Sequence, residues 1–389
     1  MVQTASLFNQ LLQHFSRTEF AALVKETKAE RHARGFTCWG QFVAMVFCHL
    51  AHADSLRLIC NGLSCCLGKL KHLGLSEAPS KSNLSYANQR RPAKLFELLF
   101  WKTLERFRGQ SMLGPGQKPF RFNNKLLSLD STTLSLCLSL FPWAEFKKVK
   151  GGVKAHVLLD HDDYMPQFVL LTPASHPDVK AAHTVPIQRG SIVAMDRAYI
   201  DYDLWAKWTT QGIYFVTRLR HDLNITIIQD RSVPLNRNIQ KDQLISLSSA
   251  QGRRECPFPL RRIEVWNAEL QETIVLLTNH LSFGASTIAD IYRQRWQIEV
   301  FFKTLKQNLK IKTFVGTSEN ALRIQIWTAL IAMLLLRWLH FLSKRSWSFS
   351  NLASLLRLNL FTYRDLRDWL DDPVGTPPLQ PQQLELALA

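Results

Sequence analysis

Residues 287–309, TIADIYRQRWQIEVFFKTLKQNL, hold the pattern from which the rest of the chain can be read. Capped by Ser286, the stretch is expected to form one long helix starting near Thr287. An α-helix turns by about 100° per residue, so Tyr292, Arg295, Glu299, Lys303 and Lys306 fall within an arc of roughly 80°. Ile298, Phe301, Phe302, Leu305 and Leu309 occupy the adjacent arc, suited to burial against a sheet. The polar stripe thus sets one carboxylate among three cations and an aromatic ring, with Trp296 alongside. A solvated face laced by pairs such as Arg295–Glu299 and Glu299–Lys303 would share some of this pattern. It would not need so large an excess of cations, and exposed aromatic rings suit stacking on unpaired bases.

Upstream of this helix the sequence reads as strands. KLLSLDSTTLSL (125–136), VKAHVLLD (153–160), PQFVLLT (166–172) and SIVAMD (191–196) are short β-type runs. A helix is expected at DYDLWAKWTTQG (201–212), then a strand at IYFVTRLR (213–220). From about Asp222 to Phe283 the segment is β-rich without clear helices, through NITIIQD, QLISLSS, LRRIEVW and TIVLLTN. This order describes a mixed α/β domain interrupted by a β subdomain. Asp130 lies within the first strand and Asp196 at the end of the fourth.

The first 110 residues look helical instead. Apolar residues recur at helical spacing in FNQLLQHF (8–15), FAALV (20–24), FVAMVFCHLAHADSLRLI (42–59) and AKLFELLFWKTLERF (93–107). The turn-rich SMLGPGQKP (111–119) closes the region. Between Lys69 and Lys125 stand twelve Lys or Arg against only Glu77, Glu97 and Glu105. That balance suits phosphate binding through a helix-turn-helix arrangement around APSKSNLSYANQRR (78–91), although a solvated basic face would look the same. The net charge of +17 over 389 residues points to a polyanionic partner. With 46% hydrophobic and 20% charged residues, the chain is not that of a disordered protein.

A membrane is the weaker explanation of the charge. The most apolar run, Ile326 to Leu336, is broken by Arg337 and His340, and its length argues for a buried helix. The N-terminus MVQTASLFNQ lacks the features of a signal peptide, so an intracellular, cytoplasmic location is expected. The seven cysteines form no C-x-x-C pair and are read as reduced, mostly buried small hydrophobes. The tail after Asp372, PVGTPPLQPQQLELALA, reads as disordered.

Carboxylates near cations suit a metal-dependent reaction on phosphodiesters. In-line displacement at phosphorus is helped by two divalent ions, one at the attacking and one at the leaving oxygen. Mg²⁺ takes a few carboxylates plus water and substrate oxygens. Asp130, Asp196 and Glu299, from three different elements, would supply them.

With those residues identified, IYRQRWQIEVFFKTLK reads Y-x2-R-x3-E-x6-K on Tyr292, Arg295, Glu299 and Lys306. It resembles the signature of bacterial insertion-sequence transposases of family four, the branch of the Tn-five and Tn-ten enzymes. LSLDSTTL (127–134) and IVAMDRAYI (192–200) are similar to the family's two aspartate blocks, in the right order. GGVKAHVLLD (151–160) and YFVTRLR (214–220) also look like family segments. The resemblance covers about 120 to 340. It implies an RNase H-like (retroviral integrase-like) α/β fold with a mixed sheet and a β-rich insertion, preceded by a helical N-terminal domain. It also implies a catalytic, metal-binding triad of Asp130, Asp196 and Glu299 holding two Mg²⁺ ions, for which Mn²⁺ can substitute. Tyr292, Arg295, Lys303 and Lys306 would contact transposon-end DNA, with Trp296 near a displaced base and Arg218 on the backbone. Trp266 is a further stacking candidate, with a core aromatic as the alternative.

The domains expected are a helical N-terminal DNA-binding domain at 1–115, the first part of the catalytic domain at 120–221, and the β-rich insertion at 222–284. The Glu-bearing helix and the helix after it follow at 285–345, and a C-terminal helical segment with a flexible tail at 346–389. The function expected is cut-and-paste DNA transposition on double-stranded terminal inverted repeats and target DNA, by a homodimer. Two rivals share the fold: a nuclease or resolvase without strand transfer, and an inactive DNA-binding descendant of a transposase. A basic RNA-binding module is more remote, since no RNA-recognition signature is present.

Overall fold

A computed structural model describes residues 5–378 apart from 32, 34, 67, 115–119, 137–140, 142, 144, 148–149, 220–222, 235–237, 308 and 310–313. It divides the chain into two compact units, one of residues 1–114 with 303–389 and one of residues 115–302. Most of the Pro- and Gln-rich tail, and Cys137, lie outside the described residues.

The first unit is helical. Its N-terminal part comprises α1 (Leu7–Leu12), α2 (Arg17–Glu26), α3 (Cys38–Leu50), α4 (Leu56–Ser64), α5 (Lys81–Arg90) and α6 (Lys94–Gly109). Ser6, Ser16, Thr37, Ser55 and Ser80 cap the first five, each hydroxyl accepting from a backbone N–H of the first turn. The apolar repeat at 42–59 is two helices and not one: His52 adopts φ +56°, and Ser55 restarts the helix. Sixteen residues separate α4 from α5, including a short 3₁₀ turn at Lys71–Leu73 closed by left-handed Gly74. Only three residues, Arg91 to Ala93, join α5 to α6, a link of the length found in helix-turn-helix arrangements.

The unit is organised around α12 (Glu319–Leu342), which packs on α3, α5 and α6 and on α13 (Phe349–Asn359) and α14 (Leu366–Asp371). Its 24 residues are long and apolar enough to cross a membrane, so the length argument from the eleven-residue run fails. The conclusion that it is a core helix holds on other grounds, because 83% of its apolar window is buried within the protein. Buried His49 of α3 anchors it, with Nε2 3.0 Å from Thr328 Oγ1 and Nδ1 3.1 Å from the Leu309 carbonyl. Burial pulls the pKa of His49 down to about 4, so this polar link in the core is uncharged. The Asn320 amide ties α12 to the last turn of α5 and the residue after it, through the carbonyls of Asn88 and Arg91.

The second unit is built on one ten-stranded mixed sheet. Its strands are β1 (Leu126–Leu136), β2 (Glu145–Lys147), β3 (Lys150–Asp160), β4 (Pro166–Pro173), β5 (Ile192–Met195) and β6 (Tyr214–Arg218). They continue with β7 (Ile225–Asp230), β8 (Ile239–Leu247), β9 (Leu260–Asn267) and β10 (Glu272–Thr278). The core order β4-β3-β1-β5-β6, antiparallel through β4, β3 and β1 and parallel from β1 to β6, is the RNase H-like arrangement. Between strands lie α7 (Asp178–Ala182) and α8 (Tyr202–Thr210). The β-rich segment does not form a sheet of its own; β10 pairs antiparallel with β6 and carries β9, β8 and β7 outward. It also contains a helix, α9 (Ala250–Glu255), capped by Ser249 and too short to show periodicity in the sequence.

Alternation along the strands divides the core between the two faces. Leu127, Leu129, Val193, Met195 and Phe215 pack with Trp205 and Trp208 of α8. Leu126, Ile192, Ala194 and Val216 face the other way, against Ile288 and Ile291 of α10 (Ala285–Gln294). The long helix expected from Thr287 is therefore two, α10 and α11 (Trp296–Gln307). The break comes at Arg295, where the Arg295 and Ile298 N–H groups donate three residues back, to Tyr292 and Arg295 carbonyls, tightening the turn. Gly284 takes the N-cap position, two residues before the expected Ser286, with no side-chain cap bond.

Candidate active site

Two aspartates are set by strand register. Leu129 of β1 pairs with Met195 of the parallel β5, so Asp130 and Asp196 are the next residues on adjoining strands. Both continue the alternation of Leu126, Ile192 and Ala194, the side of the sheet that α10 covers. Asp196 ends its strand and accepts from the N–H of Arg197, opening a 3₁₀ turn. Asp130 remains within β1, its side chain 19% exposed, and accepts from the N–H of Ser131 at 2.7 Å.

Glu299 comes from the first turn of α11. It meets Asp130 through Arg295, whose Nη2 donates to Glu299 Oε1 at 2.6 Å while Nη1 lies 3.6 Å from Asp130 Oδ2. The break in the helix puts this guanidinium between the two carboxylates. Burial opposes its charge, but the bond to Glu299 and the fields of Tyr292, Glu299 and Asp130 hold its pKa above the ordinary value. Asp130 is pushed up to about 6, chiefly by burial. The Ser131 N–H and Arg295 act against that rise, and the charges of Asp196 and Glu299 add to it. Asp130 therefore feels the charge of both other carboxylates. Three half-buried acids with one arginine against two of them form a donor set of hard oxygens short of positive charge. That suits divalent ions such as Mg²⁺ or Mn²⁺. Among the described residues, however, the one group of three metal-ligating side chains whose ligand atoms all lie within 4.8 Å is His183, Asp201 and Asp203. Asp201 there is also the cap of α8.

The remaining sequence candidates take varied positions. Tyr292 is half-buried against the α10 side of the core, and burial raises its pKa. The Arg295 guanidinium lies 5.7 Å from the Tyr292 ring centroid. Trp296 is 58% exposed at the start of α11. Lys303, exposed, and Lys306, half-buried, lie further along α11, in the stretch that belongs to the helical unit. Arg218, at the end of β6, donates to Glu272 across the sheet at 3.0 Å. Trp266 is half-buried in β9.

Sequence reasoning missed a polar cluster beside Asp130. The Ser131 hydroxyl donates to Asp178 Oδ1 at 2.6 Å, and Lys154 Nζ reaches Asp178 Oδ2 at 3.2 Å. His156, opposite Ser131 on β3, places Nδ1 3.4 Å from Asp178 Oδ1. Burial brings the His156 pKa down to about 4, so that ring is neutral. Burial, with the charges of Asp130 and Asp178, raises the pKa of the buried Tyr199 hydroxyl, and a bond with Ser131 acts against that rise. The alternation of Lys154 and His156 along VKAHVLLD was the one available signal.

Site and fold together define a class: RNase H-like enzymes that break and join phosphodiesters with divalent metal ions. Comparison with known proteins narrows it. The family described as "Transposase DDE domain" matches residues 122–335, more than half of the chain. Residues 3–76 match a domain of unknown function, DUF4372. A putative transposase, y4zB, of Sinorhizobium fredii is 31% identical over 309 residues, 78% of this chain and 83% of that one. A probable transposase for insertion sequence element IS5377, from Geobacillus stearothermophilus, is 30% identical over 59% of this chain and 60% of its own length. A piggyBac transposase synaptic complex with hairpin DNA aligns over 96% of this chain and 83% of its own, at 13% identity and TM-score 0.46.

The chain belongs to the DDE transposases of bacterial insertion sequences. It is a DNA transposase, an enzyme of metal-dependent DNA cleavage and strand transfer, and this sets aside a nuclease without strand transfer.

Proposed function

We propose that Asp130, Asp196 and Glu299 are the catalytic carboxylates and hold two Mg²⁺ ions, replaceable by Mn²⁺. The observation that carries this is the Arg295 guanidinium, which touches both Asp130 and Glu299 while Asp196 stands at the next register position. Arg295 thus holds one positive charge against two of the three carboxylates. When bound, a pair of divalent ions would activate the attacking oxygen and stabilise the leaving one.

The chain's own residues do the positioning. The β1–β5 pairing fixes two acids on a rigid sheet, and the tightened turn at Arg295 aims the third. Arg295 neutralises the acids in the ion-free protein and turns to a DNA phosphate once they are neutralised otherwise. Tyr292, Lys303 and Lys306 contact the DNA end, and exposed Trp296 stacks on a displaced base. Arg218 reaches the backbone only by giving up Glu272. The substrate is the element's own double-stranded terminal inverted repeats, then target DNA, engaged by a homodimer in the bacterial cytoplasm at the nucleoid. The Y-R-E-K spacing supports membership in insertion-sequence family four. The basic N-terminal helices, 1–115, bind DNA.

Alanine at Asp130, Asp196 or Glu299 is expected to abolish end cleavage and strand transfer, while binding to the ends in EDTA persists. The assay uses labelled duplexes carrying the inverted repeats that flank the gene. Cleavage surviving in any of the three variants would contradict the assignment.

A further inference from the structure

Helix α5 is packed on one side only. Leu84, Ala87 and Asn88 are buried toward α3, α4 and α12, and the opposite side is open to solvent. At about 100° per residue the exposed side chains sort by chemistry around the helix. Ser85, Gln89, Ser82 and Tyr86 fill the middle of the open arc, with Lys81 at one margin and Arg90 with Asn83 at the other. Tyr86 is 64% exposed, unusual for so large a ring.

This arrangement is unlike an ordinary solvated face. No acid occurs between Glu77 and Glu97. Elsewhere in the same unit some cations are offset by acids, Lys94 by Glu97 at 2.7 Å and Arg323 by Glu319 at 2.8 Å. Among the described residues no acidic group is bonded to Lys81 or Arg90. Arg91 does not belong to the face, being buried and bonded to the Phe36 carbonyl and to Gln41 Oε1.

We propose that α5 is the helix that reads the base sequence of the DNA ends, lying in the major groove. Ser82, Ser85, Tyr86 and Gln89 meet base edges, and Lys81 and Arg90 meet phosphates on the two walls. The proposal rests on the reading that the N-terminal helices bind DNA, and goes beyond it by assigning sequence discrimination to four side chains. The major groove admits one α-helix and displays a distinct donor and acceptor pattern for each base pair, which hydroxyls and amides can match. A face meant only for phosphates would carry its cations in the middle instead of at its edges. A protein partner would call for an apolar centre, and the deep, narrow major groove of RNA excludes a helix.

The test uses the full chain in EDTA, which separates binding from cleavage. The wild type enriches duplexes from a randomised DNA library, and anisotropy then measures affinity for the enriched duplex and for a scrambled one across salt concentrations. Tyr86→Ala/Gln89→Ala is expected to weaken the enriched duplex on the order of tenfold or more and to leave the scrambled duplex unchanged. Lys81→Ala/Arg90→Ala is expected to weaken both and to reduce the salt slope by about 2. Wild-type melting midpoints in all variants establish that the exposed substitutions leave the fold intact. If Tyr86→Ala/Gln89→Ala binds the enriched duplex as tightly as wild type, while cleavage of the element's ends in Mg²⁺ is normal, α5 is rejected and the transposase site stands. A wild type that enriches no sequence overturns the α5 proposal together with DNA recognition by the N-terminal helices, whereas the triad is judged separately by cleavage.

Discussion

Asp130 shows how one half-buried carboxyl can be costly to a fold. Its pKa of about 6 stands above the ordinary 3.8, so the folded ion-free protein favours the protonated form. The stabilisation given by that form is whole below about pH 4 and is lost as pH rises through about 6. Asp130→Asn fixes the neutral state. In EDTA at about pH 8 it is expected to exceed the wild type in stability by on the order of 2–3 kcal/mol, the gain vanishing near pH 4. Melts at the two pH values check this, and equal midpoints at the higher pH would contradict it. Asp130, Asp196 and Glu299 were singled out in the sequence because an aspartate within one β-type run, another at the end of a second and a lone glutamate among cations are local patterns. The support around Asp130 could not be. Asp178 and Tyr199 meet Ser131 and Asp130 only after β3, α7 and β5 have assembled, and no spacing in the sequence records that.

Elements were legible where their period is local. The alternating strands appear where expected, and Leu126 and Leu127 divide between the two core faces as a period of two requires. Boundaries set by hydrogen bonds were harder. The break at Arg295 leaves the helical apolar spacing intact, and α4 resumes five residues after the Ala51 cap position without any loss of hydrophobic pattern. Which helices pack together was hidden as well, because periodicity marks a face but not its partner. For α12 the structure supplies the partners, and a stability measurement tests them. Leu334, fully buried, when replaced by alanine is expected to cost about 2–5 kcal/mol in chemical denaturation. A membrane-facing or peripheral helix would lose far less.

Over the whole molecule the dominant quantity is the charge of +17. It brings DNA to the protein without choosing a sequence, so binding should fall steeply with salt. Lys306→Ala is expected to weaken binding evenly across sequences and reduce the salt slope by about 1, as titrations in two or more salt concentrations would show. A change confined to one sequence would instead place Lys306 at a base. Two acidic groupings are candidates for divalent ions, Asp130 with Asp196 and Glu299 in the proposed site and His183 with Asp201 and Asp203. The deciding measurement is anomalous diffraction from crystals of the full chain, bound to its end DNA and soaked in Mn²⁺. The expected result is density bridging the carboxylates of Asp130, Asp196 and Glu299, with Arg295 displaced from Asp130. Manganese held only by His183, Asp201 and Asp203, with Arg295 still between Asp130 and Glu299, would contradict the account.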